Sequence, residues 1–140
     1  MRSKRSTLPS TVVRERVLVD TSAWIAFFRG SEPGATAVAE LIDDRRALRC
    51  GPVELELRRG LRRSEAHDVL ALWTGLQALE TDGLDFTSAG DLLRDLRARG
   101  IAMPSIDGLI AALAIRHAVP LLAFDRHFDG VPGLPRWSTR

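Results

Sequence analysis

The segment VLVDTSAWIAFF, residues 17–28, places an aspartate between a short apolar run and an aromatic-rich stretch with helical spacing. The run 17–19 has the composition of a strand that is buried on both faces, and Trp24 belongs to the inner side of a helix. Asp20 lies at the junction, where its carboxylate can accept hydrogen bonds from the unpaired amides of the first helical turn. For this segment alone, a helix cap is the simplest interpretation of Asp20.

Short apolar segments alternate with helical patterns along the rest of the chain. Strands are predicted at 17–20, 48–51, 76–80 and 121–124, and helices after Asp20 and at 35–41, 53 to about 60–63, 64–73, 88–100 and 106–118. Strands that alternate with helices form mostly parallel sheets with helices on both faces, which predicts an α/β fold. The Asp-Thr-Ser loop of retroviral-type aspartic proteases belongs to an all-β dimer, so this fold class excludes that interpretation of residues 20–22.

Two predicted helices have recognisable starting signals. Ser64 is predicted to be the N-cap of the helix 64–73, with Glu65 in the first turn, where the helix dipole favours an acid. Ser88 and Asp91 have the spacing of a capping box in which Asp replaces Glu. They predict that the following helix begins at Ser88.

Length and composition indicate one globular domain. The 140 residues suffice for one core but not for two domains, and Cys50 is the only cysteine, which excludes an internal disulfide and a multi-cysteine zinc site. No apolar region follows the basic N-terminal residues as in a signal peptide, and no apolar run approaches the roughly 20 residues that span a bilayer. We expect a cytoplasmic protein without a membrane segment, in which a basic tail of residues 1–16 precedes a domain of residues 17–140.

Three acids are predicted to meet at one edge of the sheet. Asp20 and Asp125 each follow a predicted strand, and ligands bind at the edge where the carboxyl ends of parallel strands meet. Asp107 lies in the first turn of the helix that precedes the last strand, where the helix dipole favours an ionised carboxylate. Each acid alone could be a cap or a turn residue, but three acids at one edge favour a functional site.

Clustered carboxylates require a compensating charge. Two like charges about 4 Å apart repel by on the order of 4 kcal/mol at an effective dielectric constant near 20. Such a cluster spreads apart, takes up protons or binds a cation. Because the sequence offers no cluster of cysteine or histidine, oxygen ligands favour Mg²⁺ or Mn²⁺, which commonly serve phosphoryl-transfer chemistry.

Four segments, taken in order, resemble the PIN-domain ribonucleases of the VapC toxin type: VLVDTSAWI, ELRRG, IDGLIAALA and LLAFDRHF. They are similar to the family's first-strand Asp-Thr/Ser, its Glu-x-x-x-Gly helix, its Asp-opened helix and its late strand followed by Asp-x-x-Phe. The resemblance extends from about Val17 to Trp137. It implies a PIN-like three-layer sandwich, in which a short and mostly parallel central sheet carries helices on both faces.

The resemblance also implies a function and its partners. The expected activity is that of a metal-dependent endoribonuclease, the toxin of a toxin–antitoxin pair, which hydrolyses phosphodiester bonds in RNA. A homodimer is expected, held inactive by a small antitoxin that inserts a segment into the active-site groove. Two alternatives remain open, a housekeeping PIN nuclease in RNA maturation and a catalytically inactive PIN module that binds RNA or protein.

The resemblance assigns the catalytic and metal-binding acids to four positions: Asp20, Glu56, Asp107 and Asp125. Ser22 matches the hydroxyl residue that supports the first acid. Helical periodicity does not distinguish Glu56 from Glu54, whereas the spacing to Gly60 favours Glu56. The number of ions, one or two, stays open.

The chain departs from the family pattern at two positions near the expected site. Ala123 stands where many relatives have Thr, and His127 stands where some have another acid. The first departure removes a hydroxyl group, and the second implies a site of four acids rather than five. A turn position explains His127 as well as RNA contact does.

Four arginines follow Glu56 in the predicted helix and are candidates for RNA binding: Arg58, Arg59, Arg62 and Arg63. A planar guanidinium group suits phosphate recognition, and basic residues beside an acidic site would hold a polyanion. A solvated helix face is the alternative explanation of the same cluster.

Overall fold

The computed structural model describes residues 14–139, and residues 1–13 and Arg140 lie outside the described residues. Within that range, four strands and six helices precede a short 3₁₀ turn. Their bounds are β1 Val17–Val19, α1 Thr21–Arg29, α2 Gly34–Asp43, β2 Ala47–Cys50, α3 Gly51–Gly60, α4 Arg63–Trp73, β3 Gln77–Leu79, α5 Gly83–Ala98, α6 Ser105–His117 and β4 Leu121–Leu122, with the 3₁₀ turn at Arg126–Phe128.

The strands form one sheet in the order β3-β2-β1-β4, and each neighbouring pair is parallel. Strand β1 is central, because Leu18 pairs with Leu48 on one side and with Leu121 on the other. All three residues of β1 are 0% exposed, which is the environment that helices on both faces give to a central parallel strand. The predicted α/β fold with a mostly parallel sheet is confirmed.

The last strand is shorter than the sequence predicts, since β4 ends at Leu122 and not at Phe124. The N–H group of Asp20 donates to the carbonyl of Leu122 at 3.0 Å, which closes the ladder between β1 and β4. Beyond this point the N–H of Phe124 donates to the Oγ of Ser22 at 2.9 Å. These contacts hold the carboxyl ends of β1 and β4 side by side.

Helix α6 places Asp107 at the edge of the core. Residues 107–114 are all buried, with Leu109, Ile110 and Leu113 among them, as the helical periodicity predicts. The helix packs closely on α5, because a Cβ atom at Gly108 would lie 2.7 Å from the Leu93 Cγ. Asp107 is therefore fixed by a helix whose displacement would disturb the whole interior.

The start of α4 differs from the prediction. Arg62 is the N-cap and α4 begins at Arg63, so Ser64 lies inside the first turn. The N–H of Arg62 donates to the Oε1 of Glu65 at 2.9 Å. A glutamate that reaches back to the N-cap amide fixes the start of the helix here, and the hydroxyl group of Ser64 is not needed for it.

The predicted start of α5 at Ser88 is wrong, because the helix begins five residues earlier, at Gly83. Asp82 is the N-cap, and its N–H donates to the Oδ2 of Asp85 at 2.8 Å. Ser88 and Asp91 lie inside the helix. Asp82 with Asp85 and Ser88 with Asp91 both have the spacing of a capping box, and the tertiary partner of Asp85 decides between them.

That partner is Arg116, near the end of α6. The Asp85 side chain is 1% exposed, and its two oxygens accept hydrogen bonds from the Arg116 Nε at 2.6 Å and Nη2 at 2.8 Å. These guanidinium hydrogen bonds hold the pKa of Asp85 below its ordinary value. The ion pair fastens the start of α5 to the end of α6.

The described part of the predicted N-terminal tail contacts the domain. The Arg14 Nη1 lies 3.1 Å from the Asp44 Oδ2, and the Glu15 carbonyl accepts a hydrogen bond from the Arg46 Nε. The rest of the predicted tail, residues 1–13, lies outside the described residues. Among the helices found in 14–139, none has the length and apolarity needed to cross a membrane.

We expect Asp85→Ala to lower the free energy of unfolding by about 2 kcal/mol at neutral pH, because it removes a cap and charged hydrogen bonds together. The pKa of Asp85 is lower in the folded chain than in the unfolded chain. Its contribution is therefore complete above the unfolded pKa of about 4 and is lost as the pH falls through the folded pKa. Urea unfolding of wild type and variant along a pH series measures both effects.

Asp91→Ala is the matched control, because Asp91 lies on the same helix and forms an exposed pair with Arg94 at 3.2 Å. An exposed pair of this kind contributes less than about 1 kcal/mol. A larger loss of stability for Asp91→Ala than for Asp85→Ala would contradict the observed start of α5.

Candidate metal centre

Asp20 joins the central strand to the first helix through one oxygen of its carboxylate. The Oδ2 atom accepts hydrogen bonds from the N–H of Ser22 at 3.1 Å and from its Oγ at 2.7 Å, so Asp20 is the N-cap of α1. The Oδ1 atom is buried and has no hydrogen-bond partner within the described part of the chain. A capping role therefore accounts for only one of the two oxygens.

The environment of Asp20 disfavours its own negative charge. Burial raises the pKa of Asp20 to about 6, and the charge of Asp107 acts in the same direction, while the hydrogen bonds from Ser22 act against this rise. A buried polar atom without a partner costs about 1–3 kcal/mol. A cation bound beside the Oδ1 atom would relieve both effects.

The hydroxyl group of Ser22 links Asp20 to the neighbouring strand end. It donates to the Asp20 Oδ2 at 2.7 Å and accepts from the N–H of Phe124 at 2.9 Å. This double contact orients the Asp20 carboxylate relative to the segment that follows β4. The geometry fits the supporting role that the sequence predicts for Ser22.

The structure brings Glu56 to the site and leaves Glu54 elsewhere. Asp20, Glu56 and Asp107 each offer an oxygen, and these atoms lie within 4.8 Å of one another. The Glu56 Oε1 accepts a hydrogen bond of 2.6 Å from the Thr21 Oγ1. Glu54 instead pairs with the Nε of Arg58 at 2.9 Å, since residues two apart on a helix point in directions about 200° apart.

A second group of side chains shares Asp107 with the first. Asp107, Asp125 and His127 also offer ligand atoms within 4.8 Å of one another. The His127 Nδ1 lies 2.7 Å from the Asp107 Oδ2 and 3.0 Å from the Asp125 Oδ1. The four predicted acids therefore form one continuous cluster, in which Asp107 belongs to both groups.

Burial and neighbouring charges both act on the pKa values of the cluster. Burial raises the pKa of Asp107, the hydrogen bond from His127 lowers it, and the charges of Glu56 and Asp125 raise it again. The pKa of His127 is raised, first by its hydrogen bond to Asp107 and then by the surrounding acids. The cluster thus attracts positive charge to the space between Asp107 and Asp125.

The sequence did not predict the contacts that Thr21 and His127 make with the acids of the cluster. Thr21 holds Glu56, which is 35 positions away, and the only signal was its place directly after Asp20. His127 was expected near the site, with either a turn position or RNA contact as its explanation. His127 lies two residues after Asp125, and this spacing indicated that it lies near the site. Its contact with Asp107 could not be predicted in this way, because that contact depends on how α6 packs against the 3₁₀ turn.

The predicted arginine cluster does not lie on one helix. Helix α3 ends at Gly60 and α4 begins at Arg63, so Arg62 and Arg63 belong to the start of the next helix. The break follows from Leu61, whose backbone is extended at the C-cap. The prediction that all four arginines continue the helix of Glu56 is wrong.

The residues at the sheet edge fit a divalent cation. Carboxylate oxygens predominate, which suits Mg²⁺ and Mn²⁺, and the unpaired Asp20 Oδ1 is a buried ligand atom without another use in the described part of the chain. Thr21 and Ser22 hold two of the carboxylates by their hydroxyl groups. Such outer contacts fix ligand orientation in metal sites.

Comparisons with known proteins agree with this geometry. Residues 17–134 match the sequence model of the PIN domain. Over 119 residues the chain is 37% identical to the VapC ribonuclease Mb1587 of Mycobacterium bovis and to the ribonuclease VapC11 of Mycobacterium tuberculosis, covering 81% of this chain and 89% of each relative.

Solved structures show the same fold. The DNA-bound VapBC of Salmonella typhimurium is similar with a TM-score of 0.72 and 18% identity, over 89% of this chain and 98% of that chain. VapC20 of Mycobacterium tuberculosis, a toxin that cleaves the sarcin-ricin loop, is similar with a TM-score of 0.61 and 15% identity, over 84% of this chain and 96% of that chain. By sequence and by fold, this chain belongs to the PIN domain family and is a relative of the VapC ribonucleases.

Proposed function

We propose that the protein is a metal-dependent endoribonuclease that acts as the toxin of a toxin–antitoxin pair in the cytoplasm. One observation carries the proposal: four acids from separate elements form one continuous cluster at the sheet edge, and a buried oxygen of one of them, Asp20, has no partner in the described part of the chain. The identity of 37% to VapC ribonucleases supports RNA as the substrate. The fold shared with VapBC complexes supports an antitoxin as the partner.

The proposed ligands of Mg²⁺ or Mn²⁺ are the four acids: Asp20, Glu56, Asp107 and Asp125. A divalent ion at such a site supplies activated water and stabilises the charge that develops on the phosphate and the leaving oxygen. Ser22 and Thr21 keep Asp20 and Glu56 in place through their hydroxyl groups, whose hydrogen bonds are 2.7 and 2.6 Å long. Preorganised carboxylates avoid reorganisation when the substrate binds.

The partners that we propose, an antitoxin and a second copy of the chain, would cover apolar surface. Leu55, Leu84 and Phe86 are large apolar side chains that are 52, 70 and 61% exposed. These side chains are candidate contacts for the two partners. Size-exclusion chromatography with light scattering tests for the homodimer, and co-purification with the product of a neighbouring short reading frame tests for the antitoxin.

Two outcomes separate the toxin from its alternatives. Cleavage of RNA by the purified protein, dependent on Mg²⁺ or Mn²⁺ and abolished by a chelator, excludes an inactive binding module. Growth arrest on induction, relieved by the product of a neighbouring short reading frame, excludes a housekeeping nuclease. Sequencing of RNA 5′ ends after brief induction then identifies the RNA that is cut.

We expect Asp20→Asn to reduce RNA cleavage by about 100-fold or more, because it removes a charge that the reaction requires. The protein should remain folded, with a melting temperature in the absence of metal equal to or above that of the wild type. An amide can still accept the capping hydrogen bonds, and it does not carry the charge that burial disfavours. A cleavage assay and thermal melting measure the two effects.

Asp43→Asn is the control for this change, because Asp43 is an exposed acid at the end of α2. It should leave cleavage and melting temperature unchanged. Near-normal cleavage by Asp20→Asn would show that Asp20 is a helix cap and has no catalytic role.

We expect divalent ions to stabilise the folded protein, because folding gathers carboxylates that are far apart in the unfolded chain. At a metal concentration of 100 times the dissociation constant, the gain is about 2.7 kcal/mol. Asp107→Asn should lose most of this gain, since Asp107 belongs to both groups of acids. Thermal melting with and without millimolar Mn²⁺ measures the gain, and an undiminished gain in Asp107→Asn would remove this residue from the proposed site.

We expect Arg59 to contribute more to RNA binding than Arg58 does. Arg59 is exposed and lies one helical turn after Glu56, whereas Arg58 is paired with Glu54 at 2.9 Å. Arg59→Ala should weaken RNA binding and reduce the slope of log affinity against log salt by about 1, as for one lost phosphate contact. Binding is measured on the Asp20→Asn background so that the RNA is not cut.

The arginines at the start of α4 are compared through the double variant Arg62→Ala with Arg63→Ala, and Arg94→Ala on α5 is the control. The Arg94 side chain is 66% exposed and lies on a different helix from Glu56. Equal affinity and equal salt dependence in all of these variants would show that the arginines form only a solvated face.

A further inference from the structure

The imidazole ring of His127 faces the acid cluster. Its Nδ1 lies 2.7 Å from one oxygen of Asp107 and 3.0 Å from one oxygen of Asp125. Ionised carboxylates only accept hydrogen bonds, so Nδ1 donates its proton to them in this arrangement. In the tautomer that carries its proton on Nε2, the same atom offers the lone pair that a metal ion takes from imidazole.

The backbone fixes the position of His127. Its N–H donates to the Asp125 Oδ1 at 3.0 Å, and it occupies the middle of the 3₁₀ turn at 126–128. The next residue, Phe128, is 1% exposed and anchors the turn in the core. The ring therefore starts from a fixed point directly beside two of the proposed ligands.

Packing does not explain the orientation of the ring. The His127 side chain is 42% exposed, so the ring could point into solvent instead of toward the acids. His127, Asp107 and Asp125 offer ligand atoms that lie within 4.8 Å of one another. The three atoms offered there are two oxygens and one nitrogen, in contrast to the three oxygens of Asp20, Glu56 and Asp107.

We propose that His127 is a metal ligand, which gives one end of the site a nitrogen donor and a preference for Mn²⁺ over Mg²⁺. This inference rests on the proposed metal-dependent function. Mg²⁺ binds oxygen ligands almost exclusively, whereas first-row transition ions also accept imidazole nitrogen. The oxygen-only end of the cluster would lack this preference.

The main competing role for His127 is that of an internal cation, which neutralises the acids and must leave before a metal binds. The two roles predict opposite effects of removing the ring. Loss of a ligand weakens metal binding, whereas loss of a competing cation strengthens it. The sign of the change in affinity therefore distinguishes them.

The experiment compares tag-free wild type, His127→Ala and His127→Asp by titration calorimetry with Mn²⁺ and, separately, Mg²⁺ at one mildly alkaline pH. We expect His127→Ala to weaken Mn²⁺ binding by about tenfold, as for loss of one contact of about 1.4 kcal/mol, and to change Mg²⁺ binding less. His127→Asp should restore tight binding with oxygen ligands and shift the ratio of affinities toward Mg²⁺. His67→Ala is the matched control, because His67 is exposed on α4.

Pulsed electron paramagnetic resonance of bound Mn²⁺ provides a second readout that is independent of affinity. We expect nitrogen coupling from imidazole in the wild type and in His67→Ala, and its absence in His127→Ala. Nitrogen coupling that persists in His127→Ala, an unchanged ratio of Mn²⁺ to Mg²⁺ affinity, or tighter Mn²⁺ binding would overturn the inference while leaving the metal site itself intact. A wild-type protein that binds neither ion would overturn the proposed metal dependence and this inference together.

Discussion

The hydrogen bonds of Asp20 are the constraint on which the site and much of the fold depend. Through its N–H group Asp20 closes the ladder with β4, and through its Oδ2 atom it starts α1. Ser22 adds a bond from its hydroxyl to that carboxylate and accepts the amide of Phe124. One residue therefore sets the position of the central strand end, the first helix and the segment after β4. Because Oδ2 is used by the fold, Oδ1 is the oxygen that remains for the proposed metal ion.

The fold holds the carboxylates of Asp20 and Asp107 at fixed positions where their negative charge is unfavourable. Asp20 and Asp107 are 3 and 7% exposed, and burial raises the pKa of each. Their carboxylates cannot separate, because Asp20 ends the central strand and Asp107 begins a helix whose next seven residues are buried. Two buried acids that cannot spread apart gain more from a cation than a loose group of surface acids would. The rigidity of the fold is thus part of the proposed affinity for metal.

The sequence predicted the parts of the molecule that local pattern determines. The apolar run before Asp20 and the periodicity of α6 were sufficient to place Asp20 and Asp107 at strand and helix ends. Local sequence patterns could not distinguish Glu56 from Glu54, because helical periodicity allows either residue to face the site. They also could not distinguish a helix start at Asp82 from one at Ser88, because both residues have an acid three positions later. Tertiary partners decide: Thr21 holds Glu56 and Arg116 holds Asp85. Such partners lie more than 30 positions away in the sequence, where periodicity carries no information about them.

Asp85 and Asp107 show why burial alone does not identify a functional acid. Each lies in the first turn of a helix, where the helix dipole favours its charge, and each is buried, at 1 and 7% exposure. The pKa of Asp85 is lowered because Arg116 supplies a matching charge, whereas the pKa of Asp107 is raised by burial and by neighbouring acids. The first acid is satisfied within the protein and stabilises the fold. The second keeps an excess of negative charge, which His127 partly offsets, and this imbalance distinguishes the candidate metal centre from a structural ion pair.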